Sequence, residues 1–124
     1  MFKYLFFLLI LIMLYGCSKV NRDYASVSVE QLRGVICDNP NAVLIDVRTA
    51  GEYNGPLYHI DQAISMPLSN LSESIKNLDK NKKSYYMICK SGARSKMATK
   101  IMNDNGFNAF NVTGGMMDWV KLNK

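Results

Sequence analysis

The stretch Tyr85-Tyr86-Met87-Ile88-Cys89-Lys90-Ser91-Gly92-Ala93-Arg94-Ser95 decides how this chain is read. Its first four residues are a short apolar run, the pattern of a buried strand. Beyond the loop, Ala93, Met97, Ala98, Ile101 and Met102 recur at helical spacing. Cys89 is therefore placed at the tip of a strand, in a short loop that opens a helix. Backbone N–H groups converge at such a place and the helix dipole is positive, which stabilises a thiolate or another anion. A free thiol of pKa ~8.5 is only about 3% ionised at pH 7, and about 2.7 kcal/mol of preferential stabilisation would make it mostly thiolate. Gly92 allows the tight backbone path, Ser91 and Ser95 offer hydroxyl donors, and Arg94 brings positive charge. An inert core cysteine would not sit among such polar neighbours.

Outward from this loop, strand and helix signals alternate. Residues 24–27 read as a short strand, and Ser28 caps a helix from Val29 with Leu32, Val35 and Ile36 on one face. Asp38-Asn39-Pro40-Asn41 stops that helix. Ala42-Val43-Leu44-Ile45 is a continuous apolar run, the mark of a strand buried on both faces. Residues 49–53 form a helical turn ended by Asn54-Gly55-Pro56, and Ala63-Ile64-Ser65-Met66 is another short strand closed by Pro67. Ser69 or Asn70 is the expected cap of a helix carrying Leu71, Ile75 and Leu78. The helix after the Cys89 loop should end at Asn105-Gly106. Residues 107–112 read as the last strand, and Gly114-Gly115 leads into a terminal helix whose Trp119 is expected to pack the core. The alternation predicts an α/β sandwich with a mostly parallel central sheet. Ligands of such sheets bind beyond the carboxyl ends of the strands, where both Cys89 and Asp46 fall.

The 124 residues suffice for one domain, expected over residues 24–124. Ahead of it, Lys3 precedes the apolar run Tyr4-Leu5-Phe6-Phe7-Leu8-Leu9-Ile10-Leu11-Ile12-Met13-Leu14-Tyr15. That run has the length of a signal-peptide core and falls short of the roughly 18–20 residues of a spanning helix. The alternative is an uncleaved N-terminal anchor. Leu14-Tyr15-Gly16-Cys17 resembles the lipobox of bacterial lipoproteins, with a bulkier Tyr15 than is usual there. The resemblance implies a signal peptide over residues 1–16, lipidation of Cys17 and a mature chain that begins there. The domain would then hang from a membrane of the bacterial envelope, on the periplasmic side in a Gram-negative cell. Residues 17–23 form a short polar tether of at most ~20 Å.

The net charge of +5 is spread along the chain. Its tightest group, Lys80, Lys82 and Lys83, reads as a solvated turn, or else as an attraction for anionic lipid or substrate. Aromatic residues are not interleaved with the basic ones as a nucleic-acid surface requires. The three cysteines do not form a disulfide scaffold, and a Cys37–Cys89 bridge is disfavoured because a chain of this size builds a core without staples. Asp46, Arg48 and Glu52 form a second constellation. An Arg48–Glu52 pair at helical spacing is expected, with Asp46 fixing neighbouring loops or lining the pocket. His59, the single histidine, raises the question of a Cys–His nucleophile pair with Cys89, and no histidine and cysteine cluster suits a metal.

Cys89-Lys90-Ser91-Gly92-Ala93-Arg94 resembles the active-site loop Cys-x-x-Gly-x-Arg of the rhodanese-like sulfurtransferases. Leu44-Ile45-Asp46-Val47-Arg48 with Glu52-Tyr53, His59-Ile60 with Ala63-Ile64-Ser65-Met66-Pro67, and Gly114-Gly115 with Trp119 resemble further segments of that family, in order. Tyr58 and Gln62 stand where the family usually has glycine, and the resemblance implies a structural turn role for His59 in place of catalysis. The resemblance implies a three-layer sandwich with helices flanking a mostly parallel sheet, no cofactor, and Cys89 as the catalytic nucleophile. Lys90, Ser91, Gly92, Ala93, Arg94 and Ser95 would form the loop that holds substrate and persulfide, with Asp46 and Arg48 nearby. Arg94 would either orient an anionic donor or clamp the loop. The implied chemistry moves sulfane sulfur from a small anionic donor such as thiosulfate to a thiol or cyanide, in a monomer. Related cysteine phosphatases and arsenate reductases use Cys-x5-Arg, and the shorter Cys-x4-Arg loop here favours sulfur over phosphate. Those enzymes and a non-catalytic binding module are the alternatives.

Overall fold

The computed structural model describes residues 25–81 and 83–124. The expected signal segment over residues 1–16, Cys17 and the expected tether, Tyr24 and Lys82 lie outside the described residues. The elements run β1 (Ser26–Val27), α1 (Val29–Asp38), β2 (Ala42–Asp46), α2 (Ala50–Tyr53), β3 (Ile64–Ser65), α3 (Leu71–Ser74), β4 (Ser84–Ile88), α4 (Ala93–Asp104), β5 (Asn108–Val112) and α5 (Gly115–Leu122). The five strands form one parallel sheet in the order β1-β5-β4-β2-β3. β4 lies at its centre, because the apolar run ahead of Cys89 is buried on both faces.

Alternation along β4 divides the core. Tyr85, Met87 and Cys89 face one layer, where Leu71 and Ile75 meet Ala98 and Met102 of α4. Tyr86 and Ile88 face the other, where Val29 and Leu32 of α1 meet Met116 of α5, with Trp119 packed at the margin. Helices on both faces give the three-layer α/β sandwich expected from the sequence.

Local chemistry sets the boundaries. Ser28 accepts a hydrogen bond from the Gln31 N–H while the Gln31 side chain accepts from the Ser28 N–H, a full capping box at the start of α1. Residues 68–77 depart from the expected helix. α3 is a single turn flanked by 3-10 turns at Leu68–Asn70 and Ile75–Asn77, and neither Ser69 nor Asn70 caps it with a side chain. Apolar residues at Leu71 and Ile75 still meet the core, so burial places this segment without a regular helix beneath it. Met97, at helical spacing with Ala93 and Ile101, is 61% exposed. Ser95, Ala98, Thr99 and Met102 form the buried face of α4 instead.

Candidate active site

Three carboxyl-end features of the sheet converge around β4: the Cys89 loop, the turn after β2, and the start of α5. Gly92 closes the loop in a left-handed conformation, φ 110°, and acts as N-cap of α4. That conformation costs glycine little and turns its N–H onto Cys89 Sγ at 3.1 Å. Ser95 Oγ stands 3.2 Å from the same sulfur, and is fixed by contacts to Asn111 Oδ1 at 2.6 Å and to the Gly92 carbonyl at 3.1 Å. Cys89 is 1% exposed. Burial pushes its thiol pKa up, but the Ser95 hydroxyl and the backbone N–H groups of Ser95, Gly92 and Ser91 outweigh it, and the net direction is down. The sulfur is thus held among donors, as a thiolate requires. Cys37 is exposed and Cys89 buried, and both are free thiols, so the disfavoured bridge is absent.

The loop is braced from below by α5. Met116 and Met117 donate their N–H groups to the carbonyls of Cys89 at 2.8 Å and Lys90 at 3.0 Å. Gly115 makes this approach feasible: its φ is +56°, and a Cβ there would stand 2.4 Å from the Cys89 carbonyl oxygen.

The second constellation pairs differently from the sequence expectation. Arg48 lies before the α2 N-cap Thr49, outside the helix, so helical spacing does not apply to it. Its guanidinium binds Asp46 through Nε at 3.0 and 3.1 Å and through Nη2 at 2.7 Å, in a fully buried pair. It also donates to the carbonyls of Glu52 at 3.2 Å and Tyr58 at 2.6 Å, which ties the turn after β2 together. Tyr58 carries φ 54°, the one left-handed non-glycine conformation among the described residues. That is the position where the resembling family has glycine, and the Arg48 contact to its carbonyl holds the tyrosine there.

The Glu52 carboxylate instead takes Arg94, 42 residues away, in a two-bond pair of 2.6 and 2.8 Å. Glu52 also completes the capping box of α2 with Thr49. Its hydrogen bonds to Arg94 hold its pKa down to about 2 against the opposing effect of burial. Thus α2 is clamped to the first turn of α4. His59 stacks on Tyr53 with ring centroids 3.7 Å apart, and its Nδ1 donates to the Tyr53 carbonyl at 2.8 Å, a turn role.

A pocket of about 310 Å³ opens beside the loop, lined by Arg48, Glu52, Pro56, Leu57, Lys90 and Met117. Ser91 is exposed and Ala93 lies in the first turn of α4. Among the described residues, no group of three or more His, Cys, Asp or Glu side chains could hold a metal. Asn111 is the site residue that sequence reasoning passed over. Its signal was faint, a polar residue in the last apolar strand, and it is now seen buried against Ser95.

Comparison with known proteins agrees with this geometry. The family model for the rhodanese-like domain matches residues 28–122. YtwF of Bacillus subtilis, provisionally named a sulfurtransferase, is 37% identical over 97 residues, which cover 78% of this chain and 91% of YtwF. YrkF of the same organism, provisionally named a sulfur carrier protein, is 33% identical over 94 residues, 75% of this chain and 49% of YrkF. The crystal structure of SSP1007 from Staphylococcus saprophyticus superposes with a TM-score of 0.70 at 33% identity, covering 77% of this chain and 92% of that one. With the motif order, the parallel sheet and the matched span in agreement, the chain belongs to the rhodanese-like domain family.

Proposed function

We propose that this protein is a sulfurtransferase that carries sulfane sulfur as a Cys89 persulfide. The observation that carries the reading is the Cys89 sulfur set among the N–H of Gly92 and the hydroxyl of Ser95 at the mouth of a parallel sheet. With thiosulfate, the Cys89 thiolate attacks the outer sulfur, a Cys89 S–S bond forms, the donor S–S bond breaks, and sulfite leaves with the electron pair. The terminal sulfur of the persulfide then carries the negative charge within reach of the loop donors. Cyanide or a thiolate attacks that sulfur and releases the Cys89 thiolate, which completes a ping-pong cycle.

The Arg94 geometry favours sulfur over phosphate. A phosphoryl group needs a guanidinium directed at its oxygens, and here both terminal nitrogens of Arg94 are engaged by Glu52. Arg94 acts as the loop clamp in this reading. Thiocyanate formation from thiosulfate and cyanide tests it, with the Cys89→Ala variant alongside. Turnover by the parent and none by the variant is expected. Hydrolysis of a phosphate ester without thiocyanate formation would transfer the assignment to the phosphatase class.

The N-terminal pattern supports export and anchoring. Leu14-Tyr15-Gly16-Cys17 after an apolar run suits cleavage before Cys17 and its lipidation, which would hold the domain at the outer side of a bacterial membrane. Metabolic labelling with palmitate that survives in the parent and vanishes in Cys17→Ser is the expected result. Equal labelling of both would remove the anchor from the account.

A further inference from the structure

We infer that the sulfur donor preferred by this site is a small organic persulfide with an apolar body, in place of an inorganic dianion. This inference rests on the sulfur-transfer reading above. It comes from the charge balance and lining of the pocket beside the Cys89 loop. Arg48 is neutralised by Asp46 in a buried pair, and Arg94 is neutralised by Glu52. Lys90 is the remaining cation among the pocket-lining residues. Apart from the N–H groups of the Cys89 loop, a dianion entering here would meet one exposed ammonium, two neutralised arginine–carboxylate pairs and three apolar groups: Pro56, Leu57 and Met117. Removing two charges from water without matching cations is unfavourable.

A persulfide R–S–SH suits the same surfaces. The volume of about 310 Å³ falls at the low end of small-molecule sites, roughly 300–1,000 Å³, and exceeds what an inorganic anion fills. Leu57 and Met117 would cover the apolar group R, and Lys90 would meet a carboxylate on it. The reaction balances without a further reagent. Cys89 thiolate attacks the outer sulfur, a new S–S bond to Cys89 forms, and the donor S–S bond breaks. The electron pair leaves as R–S⁻, and the outer sulfur keeps its proton as Cys89–S–SH.

The test uses the full chain in detergent and reads the added sulfur by intact mass over time, less that gained by Cys89→Ala, because Cys37 is also a free thiol. The donors are thiosulfate, methyl persulfide and benzyl persulfide. Each rate is divided by that of the same donor with free cysteine, which removes intrinsic reactivity. Benzyl persulfide should load Cys89 at least about tenfold faster than methyl persulfide by this ratio. Met117 is 44% exposed, so Met117→Lys should fold. It should erase most of the benzyl preference and raise loading by thiosulfate about tenfold, since it adds a cation beside a dianion. Equal ratios for the two persulfides, or a donor order unmoved by Met117→Lys, would overturn the inference while leaving sulfur transfer intact. If no donor adds sulfur to Cys89, the sulfur-transfer reading fails and the inference falls with it.

Discussion

Replacing Ser95 by alanine removes one hydroxyl from the surroundings of the Cys89 sulfur and leaves the Gly92 N–H in place. A hydrogen bond to a charged group is worth about 1.5–3 kcal/mol. Ser95 has one hydroxyl proton and three acceptors in reach, Cys89 Sγ at 3.2 Å, Asn111 Oδ1 at 2.6 Å and the Gly92 carbonyl at 3.1 Å. Sharing that proton places the loss at the lower end, about 1.5 kcal/mol, or about a tenfold fall in the ionisation constant of the thiol. The rate–pH profile of iodoacetamide alkylation at Cys89, read by peptide mass apart from the exposed Cys37, should therefore shift to higher pH. The more basic thiolate is also the better nucleophile, with a Brønsted slope of about 0.4–0.5. The variant should then react about three- to fourfold more slowly at low pH and about threefold faster once both thiols are ionised. A loosened fold would expose the buried thiol and speed the reaction at every pH, so the slower low-pH arm and the crossing of the two curves separate a lost donor from it. An unchanged inflection would refute the assignment of Ser95 as a thiolate donor.

Three further outcomes follow from the site. Glu52 is depressed from 4.5 to about 2 in the folded protein, so the unfolded chain takes the proton first as pH falls. The stability it contributes is complete above about 4.5 and is lost towards about 2; Glu52→Gln should flatten stability against pH across that window in urea titrations, and an unaltered slope would refute the clamp. Arg48→Ala leaves Asp46 buried and unpaired and should cost about 3–5 kcal/mol of unfolding free energy, whereas a loss under about 1 kcal/mol in chemical denaturation would contradict the buried pair. Gly115→Ala would drive a Cβ to 2.4 Å from the Cys89 carbonyl oxygen. It should displace α5 from the loop and lower sulfur transfer more than it lowers the melting temperature, and wild-type activity would remove the brace from the account.

The sequence exposed this site unevenly, for physical reasons. Cys89 was legible because β4 is apolar on both faces and Gly92 is needed where φ is 110°. Ser28 was legible as a cap because Gln31 stands at the reciprocal position. Such signals are local. The Glu52–Arg94 clamp joins residues 42 apart, and only the juxtaposition of β2 and β4 brings their turns together. Counting Arg48 to Glu52 as helical neighbours failed because Arg48 precedes the helix cap. Met97 fell outside the buried face because α4 directs Ser95 and Thr99, both polar, into the core and onto partners there. Residues 68–77 are helical but irregular, one α turn between two 3-10 turns, because burial of Leu71 and Ile75 does not require a continuous α-helix.

The central claim is that Cys89 carries the sulfur. Intact mass measured after brief exposure to a sulfane-sulfur donor, under conditions free of reductant, tests it most directly. The parent should gain the mass of one sulfur, lose it on adding cyanide, and release thiocyanate in equal amount, while Cys89→Ala gains none. An unmodified parent whose Cys89 still alkylates readily, or an adduct that persists in Cys89→Ala, would contradict the account.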